Sequence, residues 1–336
     1  MKITLKDVAK MAGVSPSTVS RVITKSKDLN IKDETRQRIL DTIEKLDYKP
    51  NVIARSLRIK STNTLGMIIP DITNSFFSAL FKGAEKLASE KGFSIILANT
   101  DDNLAKAEKL INNMRQRQVD GLLLATTHIS DDTLHSMNVN KYPHVFVNRH
   151  LNNEIESYVI VDNFLGTTLA MEHLVALGHS KIAHISGPSS VDTAFKRFEG
   201  YKFSLERNDL CYNPDLVVES EMTEEGGYKA FYELVKKRVD FTAVYAANDL
   251  IAVGLMTAAK EKGLKIPEDF SLVGFDDLPV ADKTSPSLTT VKVPLHEMGY
   301  IAADILIKEI KGEKNYINKI ILRPELVVRE STKSIV

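Results

Sequence analysis

The chain has no tryptophan, one cysteine and no net charge: 44 Lys and Arg balance 44 Asp and Glu over 336 residues. A lone Cys211 cannot close an internal disulfide and excludes a cysteine-based metal site, which agrees with a reducing compartment. No apolar run approaches the roughly 18 residues of a membrane span, and no signal-type hydrophobic stretch follows Met1. The expectation is a cytoplasmic chain with no membrane partner. G-x-x-x-x-G-K-[ST], G-x-G-x-x-G, G-x-S-x-G and H-E-x-x-H are all missing, so no catalytic residue, cofactor or metal is expected. Gly187 to Ser190, GPSS, lacks the spacing of a phosphate loop and reads as a strand-to-helix turn.

The zero net charge conceals an asymmetry. Residues 1–60 hold 14 Lys and Arg against 7 Asp and Glu, whereas the remaining 276 hold 30 against 37. Opposite excesses of this kind suit a nucleic-acid module joined to an ordinary globular domain. Within the basic part, LKDVAKMAGVSPSTVSRVI (5–23) reads as a helix-turn-helix. Leu5, Val8 and Ala9 share a helical face, Gly13 permits the tight turn and Val14 packs beneath it. Ser15 suits an N-cap and Pro16 the first helical position, where a missing N–H costs nothing. The second helix, from Pro16 to about Ile23, buries Val19 and Val22 and turns Pro16, Ser17, Ser20 and Arg21 outward. Any short amphipathic helix pair shares this spacing, and the charge is what favours DNA. Such a face fits the major groove, where Arg21 is the best partner for a guanine.

A third helix is predicted from Asp33, as cap, to Leu46, with Ile39, Leu40, Ile43 and Leu46 as its buried stripe. Residues 48–62, YKPNVIARSLRIKST, follow. There Asn51 can cap about two turns with Ile53, Ala54 and Leu57 on one side. A helix shorter than roughly 12 residues is marginal alone, so this segment is expected to order only against a partner, DNA being the reading and a plain basic linker the alternative.

From Thr64 onward, apolar runs alternate with amphipathic helices such as 75–91 and 103–117. The runs LGMIIP, FSIILA, DGLLLAT, HVFVN, YVIV, KIAHIS, FTAVYA and FSLVGF predict an α/β core of two doubly wound parallel-sheet halves meeting near residue 160. Ligands bind such folds where the carboxyl ends of strands face each other. Polar residues cluster there: Asp71 and Asn74, Asn148 and Arg149, Asp162 and Asn163, Asn248 and Asp249, Asp276 and Asp277.

LKDVAKMAGVSPSTVSRVI, PNVIARSL, VDNFLGTTLAMEHLVALGHSKIAHISGP, AANDLIAVG and VGFDD stand in the order and spacing of one family. The chain resembles the lactose-repressor (LacI/GalR) family of bacterial transcription regulators over essentially its full length. The resemblance implies a headpiece at 1–49, a hinge helix at 50–61 and a periplasmic-binding-protein-like core at 62–336. Within that core it implies an N-subdomain of about 62–160 and 292–322 and a C-subdomain of about 161–291 and 323–336. It further implies a homodimer reading a palindromic operator, with the hinge helices in the minor groove. DNA contacts would come from Thr4, Ser15, Pro16, Ser17, Thr18, Ser20 and Arg21 in the headpiece, and from Asn51, Ala54, Leu57 and Arg58 in the hinge. Leu57 would wedge between the central base pairs with Ala54 beside it, bending the duplex. Pro16 and Ser17 depart from residue types that make bidentate base contacts, so no operator sequence follows.

Effector-binding positions implied by the resemblance are Asp71, Asn74, Phe76, Phe77, Arg149, Arg197, Tyr245, Asn248 and Asp276. Carboxylates, amides and guanidinium pair with vicinal hydroxyls while rings cover an apolar face, which describes a site for a sugar or sugar phosphate. A purine stacked by Phe76 and Tyr245 is the alternative. A sugar receptor or enzyme on the same core is a reading of another class, against which stand the basic headpiece and the missing export and catalytic motifs. The terminal ILRPELVVRESTKSIV lacks heptads, so a dimer rather than a tetramer is expected.

Overall fold

A computed structural model describes residues 3–23, 30–48, 61–125, 142–149, 156–313 and 318–336. The chain divides into two compact units, Met1–Thr62 and Asn63–Val336.

In the first unit, α1 (Leu5–Met11), α2 (Pro16–Ile23) and α3 (Asp33–Lys45) enclose a small core. Val8, Ala9, Ala12, Val19, Val22, Ile39 and Tyr48 are its buried members. Thr4 caps α1 reciprocally with Asp7: the Thr4 backbone donates to Asp7 Oδ2 at 2.8 Å and Asp7 N donates to Thr4 Oγ1 at 3.4 Å. Gly13 takes φ +64° at the turn, a conformation only glycine adopts at no steric cost. Ser15 Oγ accepts from Thr18 N at 3.1 Å, so the expected cap and the Pro16 start both form.

Two expectations for α3 are corrected. Asp33 is not the cap: Lys32 holds that position without a side-chain bond, and Asp33 and Glu34 lie inside the first turn, where their charge still favours the helix dipole. Leu40 is 42% exposed. Its place in the stripe is taken by Thr42, buried with its hydroxyl donating to Arg38 O at 2.7 Å.

The second unit holds two six-stranded sheets. Strands of the first are β1 (Thr64–Ile69), β2 (Ser94–Asn99), β3 (Gly121–Leu124), β4 (His144–Val147), β5 (Tyr158–Val161) and β11 (Lys319–Leu322), in the order β11-β5-β4-β3-β1-β2. Helices α4 (Ser75–Glu90), α5 (Leu104–Gln116) and α10 (Leu295–Ile310) pack on it. Those of the second are β6 (Ile182–Ser186), β7 (Val217–Glu219), β8 (Ala243–Ala246), β9 (Ser271–Asp276), β10 (Thr289–Lys292) and β12 (Glu325–Val327), in the order β12-β10-β9-β8-β6-β7. Helices α6 (Asn163–Ala176), α7 (Asp192–Arg207), α8 (Glu224–Lys236) and α9 (Asp249–Glu261) belong to this sheet. Every pairing is parallel except β10 with β12. Helices on both faces bury the parallel strands, which is why β1, β3, β6, β8 and β9 are buried along almost their whole length and are mostly apolar.

The chain passes between the two sheets three times, through Asp162, through Val293 and Pro294, and through Arg323 and Pro324. Each lobe also contains a helix crossing at backbone contact. A Cβ on Gly83 would overlap the His296 carbonyl and one on Gly299 the Leu80 carbonyl, where α4 meets α10, and one on Gly227 or Gly254 would overlap backbone where α8 meets α9. Among the described residues, no helix is long and apolar enough to cross a membrane.

Candidate functional site

Parallel strands in one direction gather their carboxyl ends along one edge of each sheet, and loops from the two edges face each other across a cavity of about 400 Å³. From the first lobe come Pro70, Asp71, Asn74, Phe76, Phe77, Asp101, Asp102, Asn148 and Arg149. The second lobe supplies Pro188, Val191, Thr193, Arg197, Glu221, Met222, Thr223, Asn248 and Asp276.

On the first wall, Asp71 Oδ1 accepts from Thr73 N and Oγ1 at 2.8 and 2.7 Å, shaping the turn after β1. Asn74 caps α4 by accepting from Phe76 N at 3.0 Å, which sets Phe76 and Phe77 edge to face with centroids 5.1 Å apart. Asn148 takes φ +68° after β4 and is followed by Arg149. Among the described residues, Asn148 Oδ1 and Arg149 Nε and Nη1 are buried without a hydrogen-bond partner. Burial pulls the Arg149 guanidinium down to about 10; Asp102 and Asp192 oppose that fall and Arg197 adds to it.

On the second wall, Arg197 is fixed on every side. Nε donates to Asn163 Oδ1 at 2.8 Å, Nη1 to the Ala247 carbonyl at 2.5 Å and Nη2 to Asp276 Oδ1 at 3.2 Å, while the guanidinium lies 3.7 Å over the Phe275 ring. Burial raises the Asp276 carboxyl to about 6, and Arg197 limits that rise. Asn248 Oδ1 caps α9 through Ile251 N at 2.8 Å, and its Nδ2 donates to Met222 O at 3.2 Å. Asp249, one residue on, accepts from Thr290 Oγ1 at 2.5 Å and Leu278 N at 2.7 Å, and burial holds its carboxyl well above the usual range.

Eight of the nine expected effector positions therefore meet around one cavity: Asp71, Asn74, Phe76, Phe77, Arg149, Arg197, Asn248 and Asp276. Tyr245 does not and is corrected. It is fully buried inside β8, stacked on His184 at 4.8 Å, with its hydroxyl 2.8 Å from Thr167 Oγ1. His184 donates from Nδ1 to the Tyr245 carbonyl at 2.9 Å, and burial pushes its imidazole down to about 4, so the stack is neutral packing. Sequence reasoning missed Asp101, Asp102, Thr193, Glu221, Met222 and Thr223. The first two follow β2 as Asp71 follows β1, and the same rule would have found them. Glu221 to Thr223 follow β7, whose three residues give no pattern.

In the headpiece, Pro16, Ser17 and Arg21 are exposed and Ser20 half-buried on the outer side of α2. Thr4, Ser15 and Thr18 serve the caps already described, with Ser15 Oγ and Thr18 Oγ1 2.9 Å apart. Asn51, Ala54, Leu57 and Arg58 lie outside the described residues. Among the described residues, no group of three or more His, Cys, Asp or Glu is placed to hold a metal ion.

Comparison with known proteins places both units. The family model "Bacterial regulatory proteins, lacI family" matches residues 4–51, and "Periplasmic binding protein-like domain" matches 171–332. The chain is 36% identical over 330 residues to the ribose operon repressor of Halalkalibacterium halodurans, covering 98% of this chain and 97% of that one. It is 34% identical over 335 residues to the transcriptional repressor PurR of Histophilus somni, covering 99% of each. Among solved structures, the Lac repressor dimer bound to operator and the anti-inducer ONPF superposes with a TM-score of 0.89 at 27% identity, covering 99% of this chain and 100% of that one.

Proposed function

The chain belongs to the lacI family of bacterial regulatory proteins, a family of DNA-binding transcription regulators, and from that premise we propose that it is a cytoplasmic, homodimeric repressor of carbohydrate genes. Its headpieces read a palindromic operator through Pro16, Ser17 and Arg21. In the hinge, Leu57 wedges into the minor groove with Ala54 beside it, and Asn51 and Arg58 hold the flanking backbone. A sugar in the crevice shifts operator affinity, and operator must shift sugar affinity equally.

The observation that supports this most is the Arg197–Asp276 pair, buried at the crevice wall in a cavity that Asn248, Thr193 and Phe76 also line. Planar charged groups with amides and one ring match vicinal hydroxyls on a partly apolar ring. Likeness to a ribose operon repressor makes ribose the first probe. A purine is the alternative effector, but a flat base would have lost Tyr245 as one of its two stacking plates. Selection of genomic fragments by the purified protein, followed by operator binding with ribose, other sugars, hypoxanthine and guanine added, tests both readings. A palindromic site whose affinity ignores every sugar would remove the sugar reading.

A further inference from the structure

We propose that the effector is an uncharged polyol and that the crevice rejects its phosphate ester; this rests on the crevice being the effector site. Phosphate needs either a surplus of positive charge or a cradle of open backbone N–H groups. The walls lack the first. Asp71, Asp101, Asp102, Glu221 and Asp276 line the cavity against Arg149 and Arg197, and Lys106, paired with Asp101, leaves the balance negative. Facing walls focus that field into the space between them.

Several N–H groups at the strand ends already have side-chain partners. Asn74 takes Phe76 N, Asn248 takes Ile251 N, and Asp162 takes Leu165 N at 2.9 Å. In the GPSS turn after β6, where a phosphate loop would sit, Ser189 N donates to the Glu219 carboxylate at 3.2 Å. Helix α7 has no side-chain cap, but Asp192 sets a carboxylate in its own first turn, which opposes a second anion there.

What remains open asks for hydroxyls. Asn148 Oδ1 is a buried acceptor and Arg149 Nε and Nη1 are buried donors, on consecutive residues, and none has a partner among the described residues. A hydroxyl group donates to the one and accepts from the other, whereas a phosphate dianion only accepts. Opposite them, Arg197 is committed to Asp276, Asn163 and Ala247, so it is not a spare cation for a phosphate.

The test is calorimetry of the full chain with matched pairs: D-ribose and ribose 5-phosphate, D-glucose and glucose 6-phosphate, D-galactose and galactose 6-phosphate. In the pair that binds, the free sugar is expected to be at least about tenfold tighter, the scale at which like charge discriminates partners. Substituting Glu221→Gln and Asp102→Asn, both exposed, should narrow that gap, and added salt should narrow it too. An ester that binds as tightly as its sugar overturns the proposal and leaves the sugar-effector reading standing. A gap that neither E221Q, D102N nor salt alters overturns the electrostatic cause. Heat from hypoxanthine or guanine with none from any sugar removes the sugar reading, and this proposal with it.

Discussion

Arg329, in the segment after β12, donates from Nη2 to the Asp277 carboxylate at 2.7 Å, and so holds the turn that delivers Asp276 to the crevice. The turn needs holding. Asp276 and Asp277 take φ +113° and +56°, two successive left-handed residues with side chains, each costing about 1–3 kcal/mol. Arg329 Nη1 also bonds the Leu288 carbonyl at 2.8 Å, and Asp249 fixes Leu278 N from the other side. Arg329→Met is expected to weaken effector binding about tenfold, or 1.4 kcal/mol, and Arg329→Lys to recover part of it. In a double-mutant cycle, D277N added to R329M should cost little more, because the two act as one contact. Independent, additive losses would show that Arg329 acts elsewhere.

Asp276 should make both stability and effector binding depend on pH. Its carboxyl rises from 3.8 to about 6 on folding, chiefly through burial. The folded chain then keeps a proton that the unfolded chain releases, so between these values this residue's contribution to stability falls as pH rises. Urea unfolding from pH 4 to 7 should show a steeper fall in the parent than in Asp276→Asn, where Asp249 still contributes. Effector affinity moves the other way: protonation turns one acceptor oxygen into a donor and removes the charge facing Arg197, so affinity should drop below pH 6 with a limiting slope of about tenfold per pH unit. An affinity flat from pH 7 to 5 would exclude Asp276 from the contact.

Tyr245→Phe separates packing from binding. The hydroxyl bonds Thr167 Oγ1, which keeps its bond to the Asn163 carbonyl at 3.0 Å when Tyr245 loses oxygen. A loss of about 1 kcal/mol in denaturant is expected, with effector affinity unchanged within about twofold. A large loss of affinity at unchanged stability would return Tyr245 to the site.

Gly254→Ala should be among the costlier small substitutions in the chain. A methyl there meets the Glu224 carbonyl and Tyr228 N, both backbone, so α8 and α9 must part rather than a side chain rotate. About 3 kcal/mol of destabilisation is expected from chemical unfolding. A neutral result would mean that the two helices part at little cost.

For the headpiece, Arg21→Ala should relax preference at one base per half-site by about 1–3 kcal/mol in operator competition. A loss equal across all sequences would make Arg21 a phosphate contact. Leu57→Ala should weaken operator far more than random DNA, since only a kinked site uses the wedge.

The core's architecture was legible because its strands are written as short apolar runs, most of them buried on both faces: all eight such runs contain a strand. β10, TTVK, was not, because its threonines are buried through bonds instead: Thr290 to Asp249, and the Thr289 backbone to Ser331 Oγ at 2.8 Å. Such partners lie about forty residues away, beyond any local pattern. Site residues that directly follow strands were legible for the same reason as the strands. Tyr245 was implied by the resemblance alone; AVYA is buried on both faces, and here the ring turns into the core against His184 and Thr167. Leu40 misled because a threonine that bonds its own helix can sit where a leucine is expected.

Because the chain crosses between its sheets at Asp162, at Val293–Pro294 and at Arg323–Pro324, neither lobe is a continuous stretch of the gene. A stop codon at 323 would leave the first sheet whole and strip β12, together with Arg329, from the second. Exchanging one lobe with a relative's requires three junctions, so recombination at a single point cannot hand this protein a new effector wall without also splitting a sheet between two parents.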